Sequence, residues 1–359
     1  MFNKRTIYDA KIKNQVILVR TDYNVPLDSD GNITNDLRIR ASLETLNFLV
    51  ENGAKKIIII SHLGRPEGVK NKALSLRPVA ARLSELMPDV NVSFVDDVSG
   101  PEVESATRSL KKGDILVLEN LRFFAGEEKN SDDFIREIID CTGATLAVQD
   151  GFAVVHRAHA STSAIANEIP VVAGALLEKE ISTLSEVIER PRKPLTVIIG
   201  GSKVEDKQPM IDNFLPIADH IVVGGKIAAD GYASDNTKIY VAEDFDEDSE
   251  GNKLDIGPLS SVKIADFVNN SETVIWNGVL GKVEDPAFAT SSTILAKLLG
   301  EKLGITSVIC GGDTTGFVEN LTQENPDLRY TLISTGGGAA LEFLSGKPLP
   351  GVDVLEDKS

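Results

Sequence analysis

Leu195-Thr196-Val197-Ile198-Ile199-Gly200-Gly201-Ser202-Lys203-Val204-Glu205-Asp206-Lys207 reads as a strand, a turn and a helix start in thirteen residues. Five consecutive apolar or β-branched residues without polar alternation suit a strand buried on both faces, as inside a parallel sheet. Two glycines permit a tight turn. Ser202 with Glu205 has the S-x-x-E form of a capping box, which predicts a helix starting directly after the strand. Lys203 then falls in the first turn, where the helix dipole disfavours a cation, and Lys207 follows four residues on along the same face. Two lysines there make sense if an anion sits between them and the dipole. Exposed lysines paired with neighbouring acids are the plainer alternative.

The same pattern recurs outward in both directions. Short β-branched runs fall at 16–20, 57–60, 92–95, 115–118, 145–148 and 171–172, then at 195–199, 221–223, 238–241, 274–276, 308–310 and 331–333. Amphipathic stretches such as 40–52, 77–86 and 134–140 lie between them. Alternating strand and helix means βαβ units and a doubly wound α/β fold. Two sets of six strands imply two such domains, and 359 residues exceed the usual ~150-residue domain more than twofold. The boundary is expected near 170–190. A helical stretch at 176–189 could be a hinge or an ordinary crossover helix, and Arg190-Pro191-Arg192-Lys193-Pro194 then restarts the strand pattern.

Composition excludes several classes. Hydrophobic residues at 42% and charged residues at 25% are ordinary for a soluble globular protein. The formal net charge of −17 repels a phosphate backbone, so nucleic-acid binding is not expected. No apolar stretch approaches the ~18 residues of a membrane helix. Residues 1–15 lack the apolar core of a secretory signal. Cys141 and Cys310 lie far apart, which argues against a disulfide framework and for a reducing cytoplasm.

Ligands of open parallel sheets bind outside the carboxyl ends of the strands. In the first half those ends carry polar and charged residues: Asp22 and Asn24, His62 and Arg65, Asn120 and Arg122, then Asp150. In the second half they carry glycine: Gly200-Gly201, Gly224-Gly225, Gly278 with Gly281, Gly311-Gly312, and Gly336-Gly337-Gly338. Arginine forks suit a small polyanion. Glycines at strand-to-helix turns let backbone N–H groups approach a phosphate chain, although a glycine there can simply permit tight geometry. One half would thus hold an anionic substrate and the other a nucleotide. His156-Arg157-Ala158-His159 lacks a third His or Cys for zinc and fits an anion better. No P-loop, G-x-G-x-x-G, G-x-S-x-G or H-E-x-x-H occurs.

Over nearly its whole length the chain resembles the phosphoglycerate kinase family. The resemblance rests on Val19-Arg20-Thr21-Asp22-Tyr23-Asn24-Val25-Pro26, Asp36-Leu37-Arg38-Ile39-Arg40, Ser61-His62-Leu63-Gly64-Arg65-Pro66 and Glu119-Asn120-Leu121-Arg122-Phe123. It continues in His156-Arg157-Ala158-His159-Ala160-Ser161-Thr162, Gly200-Gly201-Ser202-Lys203-Val204, Val274-Ile275-Trp276-Asn277-Gly278, Gly311-Gly312-Asp313-Thr314 and Ser334-Thr335-Gly336-Gly337-Gly338-Ala339.

It implies two Rossmann-like domains facing a cleft and joined by a hinge helix: 1–173 with a C-terminal return at 346–359, and 174–345. The implied reaction is in-line phosphoryl transfer between 1,3-bisphosphoglycerate and Mg-ADP, giving 3-phosphoglycerate and Mg-ATP, with domain closure. Asp22, Asn24, Arg38, His62, Arg65, Arg122, His156 and Arg157 would hold 3-phosphoglycerate. Gly201, Lys203, Lys207, Gly224, Gly225, Asn277, Glu284, Gly311, Gly312, Asp313, Thr314, Gly336, Gly337 and Gly338 would form the nucleotide side. Asp313 would bind the magnesium complex, and Arg38, Lys203, Gly312 and Gly336 would serve the transfer itself. A monomer with small-molecule partners, and neither nucleic acid nor membrane, is implied.

Departures fall around the cleft. Gln149-Asp150-Gly151-Phe152-Ala153-Val154 replaces Asn-Asp-Ala-Phe-Gly-Thr, Lys226 stands where a third glycine is usual, and Val279 stands where proline is common. The segment from 226 to 273 is shorter than usual, with 244–250 reading as an acidic, solvated loop. A trimmed nucleotide side suits a second reading, a non-catalytic relative that binds 3-phosphoglycerate as a sensor or partner. Retention of Lys203, Asp313, Thr314 and the triple glycine favours the enzyme. A nicotinamide dehydrogenase has only fold-level support.

Overall fold

The computed structural model describes residues 2–358. It divides into two compact units, residues 2–181 with the segment from Leu349 onward, and residues 182–348. The division falls inside the helix Ala175–Glu189.

The first unit is built on β1 (Val16–Arg20), β2 (Lys56–Ile60), β3 (Val92–Phe94), β4 (Ile115–Val117), β5 (Leu146–Gln149) and β6 (Val171–Ala173). They form one parallel sheet in the order β3-β4-β2-β1-β5-β6. Ile17, Val19, Ile57, Ile59, Val117 and Val148 pack on Leu46, Leu49 and Leu83 of the covering helices. Leu18, Ile58, Ile60 and Leu116 on the opposite face are equally buried. Burial on both faces is why these strands do not alternate, and each such side chain contributes roughly 1.5–3 kcal/mol. The C-terminal segment belongs here, with Gly351 N–H on Val155 O (2.9 Å) and Glu356 N–H on Val171 O (3.0 Å).

The second unit carries β7 (Leu195–Ile199), β8 (His220–Val223), β9 (Ile239–Val241), β10 (Phe245–Glu247), β11 (Lys253–Ile256), β12 (Thr273–Asn277), β13 (Thr306–Cys310) and β14 (Leu332–Ile333). Six of these make a parallel sheet in the order β14-β13-β12-β7-β8-β9, and β10 pairs with β11 as an antiparallel hairpin. This is the doubly wound order of dinucleotide-binding domains, whereas in the first sheet β4 is inserted between β3 and β2. Connections reverse direction between β1 and β5 in one sheet and between β7 and β12 in the other. Those two points are where a crevice opens beyond the strand ends.

Two local expectations need correction. The expected solvated loop at 244–250 contains strand β10, with Phe245 opposite Ile256. Asp248 closes the hairpin by accepting the N–H groups of Glu250 (2.9 Å) and Asn252 (2.9 Å) and the Asn252 amide (2.8 Å). A strand with one apolar residue among acids gives no periodic signal.

The capping box is not formed either. The helix is Val204–Phe214, its N-cap is Lys203 in extended backbone, and no side chain caps it. Gly200 and Gly201 are held against the neighbouring strand end, by N–H bonds to Asn277 O and Val279 O at 2.9 Å each. The chain uses Ser202 and Lys203 to climb from there to the helix, so Lys203 precedes the first turn rather than lying in it.

Candidate functional site

In the first unit the rim is organised from below by Arg20, the last residue of β1 and only 1% exposed. Its Nε donates to Ser161 Oγ (2.7 Å), one terminal nitrogen to Thr21 O and the other to His62 Nδ1 (3.3 Å). Glu127, wholly buried, lies 3.9 Å from Arg20 and accepts from the Ser161 hydroxyl (2.7 Å) and N–H (3.1 Å). Burial lowers the Arg20 pKa to about 10 against the pull of Glu127, which leaves it a cation at neutral pH.

An arginine can only donate, so His62 Nδ1 is the acceptor and its ring proton sits on Nε2. Burial, then Arg20, Arg122 and Arg38, holds His62 well below the usual imidazole range. His62 is thus a neutral donor, although Asp22 Oδ1 lies 3.7 Å away.

Asp22 forms an ion pair with Arg38, carried by the short helix Leu37–Ala41. The amphipathic stretch read as one helix over 40–52 breaks at Ser42, whose hydroxyl bonds Ile39 O (2.8 Å) and pairs with the Tyr23 hydroxyl (2.8 Å). That break sets the direction from which Arg38 arrives. Asn24 Oδ1 takes the N–H of Gly64 (2.8 Å), steadying the loop that presents Arg65, which is exposed.

Arg122 is largely buried and donates to Gly64 O (3.0 Å), with Glu128 at 3.5 Å; burial, then Arg20, lowers its pKa to about 10. Exposed Arg157 donates from Nε to His156 Nε2 (3.1 Å). His159 is buried 3.8 Å from Glu127, and burial, then Arg122 and Arg20, brings its pKa down to about 4. Neutral His62 and His159 among cationic arginines make this rim rich in hydrogen-bond donors, which suits an anion.

In the second unit the glycines divide into two kinds. A Cβ on Gly200 would lie 2.3 Å from Val279 O, one on Gly278 2.2 Å from Gly200 O, and one on Gly225 2.7 Å from Val279 O. These three let the ends of β7, β8 and β12 touch backbone to backbone, the purely steric reason for glycine. Gly224 is extended, and its Cβ would meet Leu280 at 2.8 Å.

Gly312 and Gly337 are different, because no atom lies within 4 Å of a Cβ at either. Gly312 opens the helix Gly312–Glu324, whose N-cap Gly311 contributes no capping side chain. This helix start therefore has free space beside it and no side-chain cap, the condition under which N-terminal N–H groups can receive an anion. Gly337 is the N-cap of the shorter helix Gly338–Leu344, while the N–H of Gly336 is taken by Ser334 Oγ (3.1 Å).

Beside them lies an open cleft of about 250 Å³, lined by Gly201, Ser202, Gly225, Lys226, Ala229, Phe245, Lys253, Leu254, Asp255, Val279, Leu280, Gly281, Lys282 and Asp313. Of the expected nucleotide residues, Gly201, Gly225 and Asp313 are brought together here. Lys203 is exposed one residue beyond this lining, and Asp313 is exposed in the first turn of its helix. Lys207 donates to the buried Asn277 Oδ1, and burial lowers its pKa. Thr314 is buried with its hydroxyl accepting the Gly278 N–H (2.9 Å), and Gly311 packs against Asn277 and Thr314. Asn277, Lys207 and Thr314 therefore form the support beneath the glycine turns. Glu284 is exposed and not part of the lining.

Sequence reasoning missed Phe245, Lys253, Leu254 and Lys282 as lining residues. The only available signal was one aromatic residue in an acidic run. Among the described residues no group of three or more His, Cys, Asp or Glu side chains is placed to hold a metal ion, and neither cysteine is in a disulfide.

Comparison with known proteins agrees over the whole chain. The family model described as phosphoglycerate kinase matches residues 7–244 and 229–347. A phosphoglycerate kinase of Coprothermobacter proteolyticus is 40% identical over 394 aligned positions, covering 98% of each chain. Since this chain has 359 residues, at least 35 of those positions (394 − 359) have no counterpart in it. The phosphoglycerate kinase structure from Pyrococcus horikoshii OT3 superposes with a TM-score of 0.86 at 26% identity, and that from Coxiella burnetii with 0.79 at 31%. Both comparisons cover 98% of each chain.

Proposed function

The chain belongs to the phosphoglycerate kinase family, and from that premise we propose how its residues carry the reversible transfer between 1,3-bisphosphoglycerate and ADP. In the ATP-consuming direction a carboxylate oxygen of 3-phosphoglycerate attacks the γ-phosphorus. That O–P bond forms as the bond to the β–γ bridging oxygen breaks, and ADP leaves with the electron pair. The carboxylate is ionised at neutral pH, so no general base is needed. Catalysis rests on positioning and charge stabilisation.

Arg38, Arg65, Arg122 and Arg157, with the neutral donor His62 and with His156, bind the phosphate and carboxylate of 3-phosphoglycerate. Asp22 orients Arg38, and Asn24 orients the loop of Arg65. Lys203 and the N–H groups at Gly312, Gly337 and Gly338 meet the nucleotide phosphates. Asp313 is a single exposed carboxylate on the cleft, the kind of hard ligand that holds magnesium together with substrate phosphates rather than in an all-protein cage. When bound, the ion neutralises phosphate charge. A cytoplasmic monomer is the state in which we expect the protein to act.

The observation that carries this reading is the unobstructed N-terminus at Gly312, in a unit where the turn glycines after β7, β8 and β12 are pressed against backbone. The test is ATP- and magnesium-dependent phosphorylation of 3-phosphoglycerate, with Arg38→Ala and Lys203→Ala alongside. Each substitution should lower kcat by on the order of a hundredfold or more, the loss typical of one transition-state donor. Absence of turnover from folded protein, with ATP and GTP both tried, would overturn it.

A further inference from the structure

The first unit carries a second cationic face, at the end of its sheet away from the arginine rim. The loops that enter β1, β2 and β4, three neighbouring strands, hold Lys11 and Lys13, Lys55, and Lys111 and Lys112. All five are exposed, and among the described residues none forms an ion pair. In a chain of net charge −17 this is a local reversal of sign. The same loops hold two acids, Glu51 and Asp114. Asp114 Oδ2 is already occupied by the Lys111 N–H (2.9 Å) and the Asn91 amide (3.0 Å). Lys56, which follows Lys55, turns its ammonium aside to Thr107 O.

These loops are tied into one platform. Asn14 N–H bonds Gly53 O (3.0 Å), Lys55 N–H bonds Gln15 O (2.8 Å), and Gly113 N–H bonds Lys55 O (3.3 Å). The strands start flush, with Val16 opposite Lys56 and Ile57 opposite Ile115. A Cβ on Gly53 would meet Lys112 Nζ at 3.3 Å and Lys13 Cγ at 3.7 Å, so lysines of the two outer loops converge over the middle one. A partner binding here would find the loops already ordered, which lowers the entropic cost of association.

We propose that this platform docks an acidic segment of another protein, an extended run of Asp and Glu side chains crossing the three loops. Neighbouring strands lie about 4.8 Å apart, so the loops span roughly 10 Å, the length of about three extended residues. A peptide that short meets the patch alone, because at physiological ionic strength the acids of the remaining surface are screened beyond about 8 Å. A long nucleic acid would run past the patch into that negative surface, and the loops offer it neither arginine forks nor aromatic rings. A membrane would need apolar side chains to insert, and none of the exposed large apolar residues lies in these loops. The docking surface is independent of the kinase reading. The five-residue β2 puts it on the order of 15 Å from the substrate rim.

The test is fluorescence anisotropy of fluorescein-labelled octaglutamate, with saturating 3-phosphoglycerate present to occupy the arginine rim. Binding is expected, and raising salt from about 20 to about 200 mM should weaken it tenfold or more. The triple variant Lys13→Gln, Lys55→Gln, Lys112→Gln should lose tenfold or more in affinity with kinase turnover unchanged. A control with the same change of net charge, Lys263→Gln, Lys297→Gln, Lys347→Gln on exposed positions of the second unit, should lose less than twofold. Lysine acetylation of the unmutated protein gives a readout that needs no variant to fold: the peptide should protect Lys55 and Lys112 but not Lys263. No binding at low salt overturns the proposal, as do equal losses in the two triple variants or acetylation unaffected by peptide. Tighter binding to phosphatidylcholine vesicles with about 30% phosphatidylserine, or to a single-stranded octanucleotide, than to octaglutamate would assign the face to a membrane or a nucleic acid and equally overturn it.

Discussion

Arg20 shows how one buried residue sets the chemistry of its neighbour. Its guanidinium is fixed by Ser161, Thr21 and Glu127, and so dictates which nitrogen of His62 carries the proton. The expected result is an imidazole that stays neutral with the proton on Nε2 throughout pH 6–8, since its pKa is held well below the ordinary 6.5 by burial and then by Arg20. Nitrogen-15 chemical shifts of the His62 ring test this directly. A doubly protonated ring at pH 7 would contradict it.

Losing the donor should matter as well. His62→Leu leaves Arg20 and the substrate anion each short of a partner, and should lower kcat/KM for 3-phosphoglycerate by roughly ten- to a hundredfold more than His62→Gln. The rim residues His62, Arg65 and Arg122 were legible in the sequence because they follow strand ends. Arg20, Glu127 and Ser161 were not, because they meet only in three dimensions, 141 residues separating Arg20 from Ser161.

At the scale of the element, the turn glycines separate packing from function. Gly200→Ala would drive a methyl group to 2.3 Å from the Val279 carbonyl, and the close approach of β7 to β12 leaves that backbone nowhere to go. A loss of several kcal/mol is expected, in the range seen for overpacked cores. Gly312→Ala meets nothing within 4 Å at a helix start, so the fold should tolerate or slightly favour it, by up to about 1 kcal/mol. Its nucleotide KM should nonetheless rise tenfold or more, because the methyl group occupies space meant for a phosphate. Denaturant midpoints and kinetics on the two variants should give opposite patterns. Equal destabilisation with unchanged KM would mean that Gly312 too is only a packing glycine.

The sequence alone could not sort these glycines, since each simply follows a strand. It did locate all twelve parallel strands, because an unbroken β-branched run is a direct consequence of burial on both faces. The hairpin of β10 and β11 stayed hidden because its stability comes from the Asp248 turn and from Phe245 packing, not from periodicity. Part of the lining of the open cleft in the second unit, Phe245, Lys253 and Leu254, was hidden with it.

At the scale of the molecule, three buried titratable groups of the first unit oppose one another across mildly acidic pH. Asp150 is 1% exposed at the end of β5. Its Oδ1 accepts the Thr45 hydroxyl (2.8 Å) and the Leu176 N–H (3.1 Å) at the start of the helix Ala175–Glu189. Burial raises its pKa from 3.8 to about 7, the hydrogen bonds from Thr45, Leu176 and Leu177 pulling the other way and Glu44 adding to the rise. A raised carboxyl pKa contributes stability below about 4 that is lost as pH climbs through about 7.

His62 and His159 act in the opposite sense. Their folded pKa values are depressed, that of His159 to about 4, so their contribution is complete above 6.5 and is lost as pH falls below it. Between 4 and 6.5 the two histidines outweigh the one carboxyl and stability rises with pH. From 6.5 to 8 the last protons leaving the unfolded-state histidines and those leaving native Asp150 nearly cancel, and the wild-type curve flattens. Asp150→Asn keeps an acceptor for Thr45 and Leu176 but has no proton to lose, so its curve should go on rising above pH 6.5 where the wild-type curve is flat. At pH 8, relative to pH 5, the variant should gain on the wild type by up to roughly 3 kcal/mol, since the two pH units from 5 to about 7 are worth about 1.4 kcal/mol each. Urea midpoints at pH 5, 6.5 and 8 followed by far-UV dichroism measure this, since the single tryptophan, Trp276, lies in the other unit. A wild-type curve that keeps rising from pH 6.5 to 8, or an Asp150→Asn curve that parallels it, would show that Asp150 is ionised in the native protein at all these pH values and that its charge is held by the helix start at Ala175.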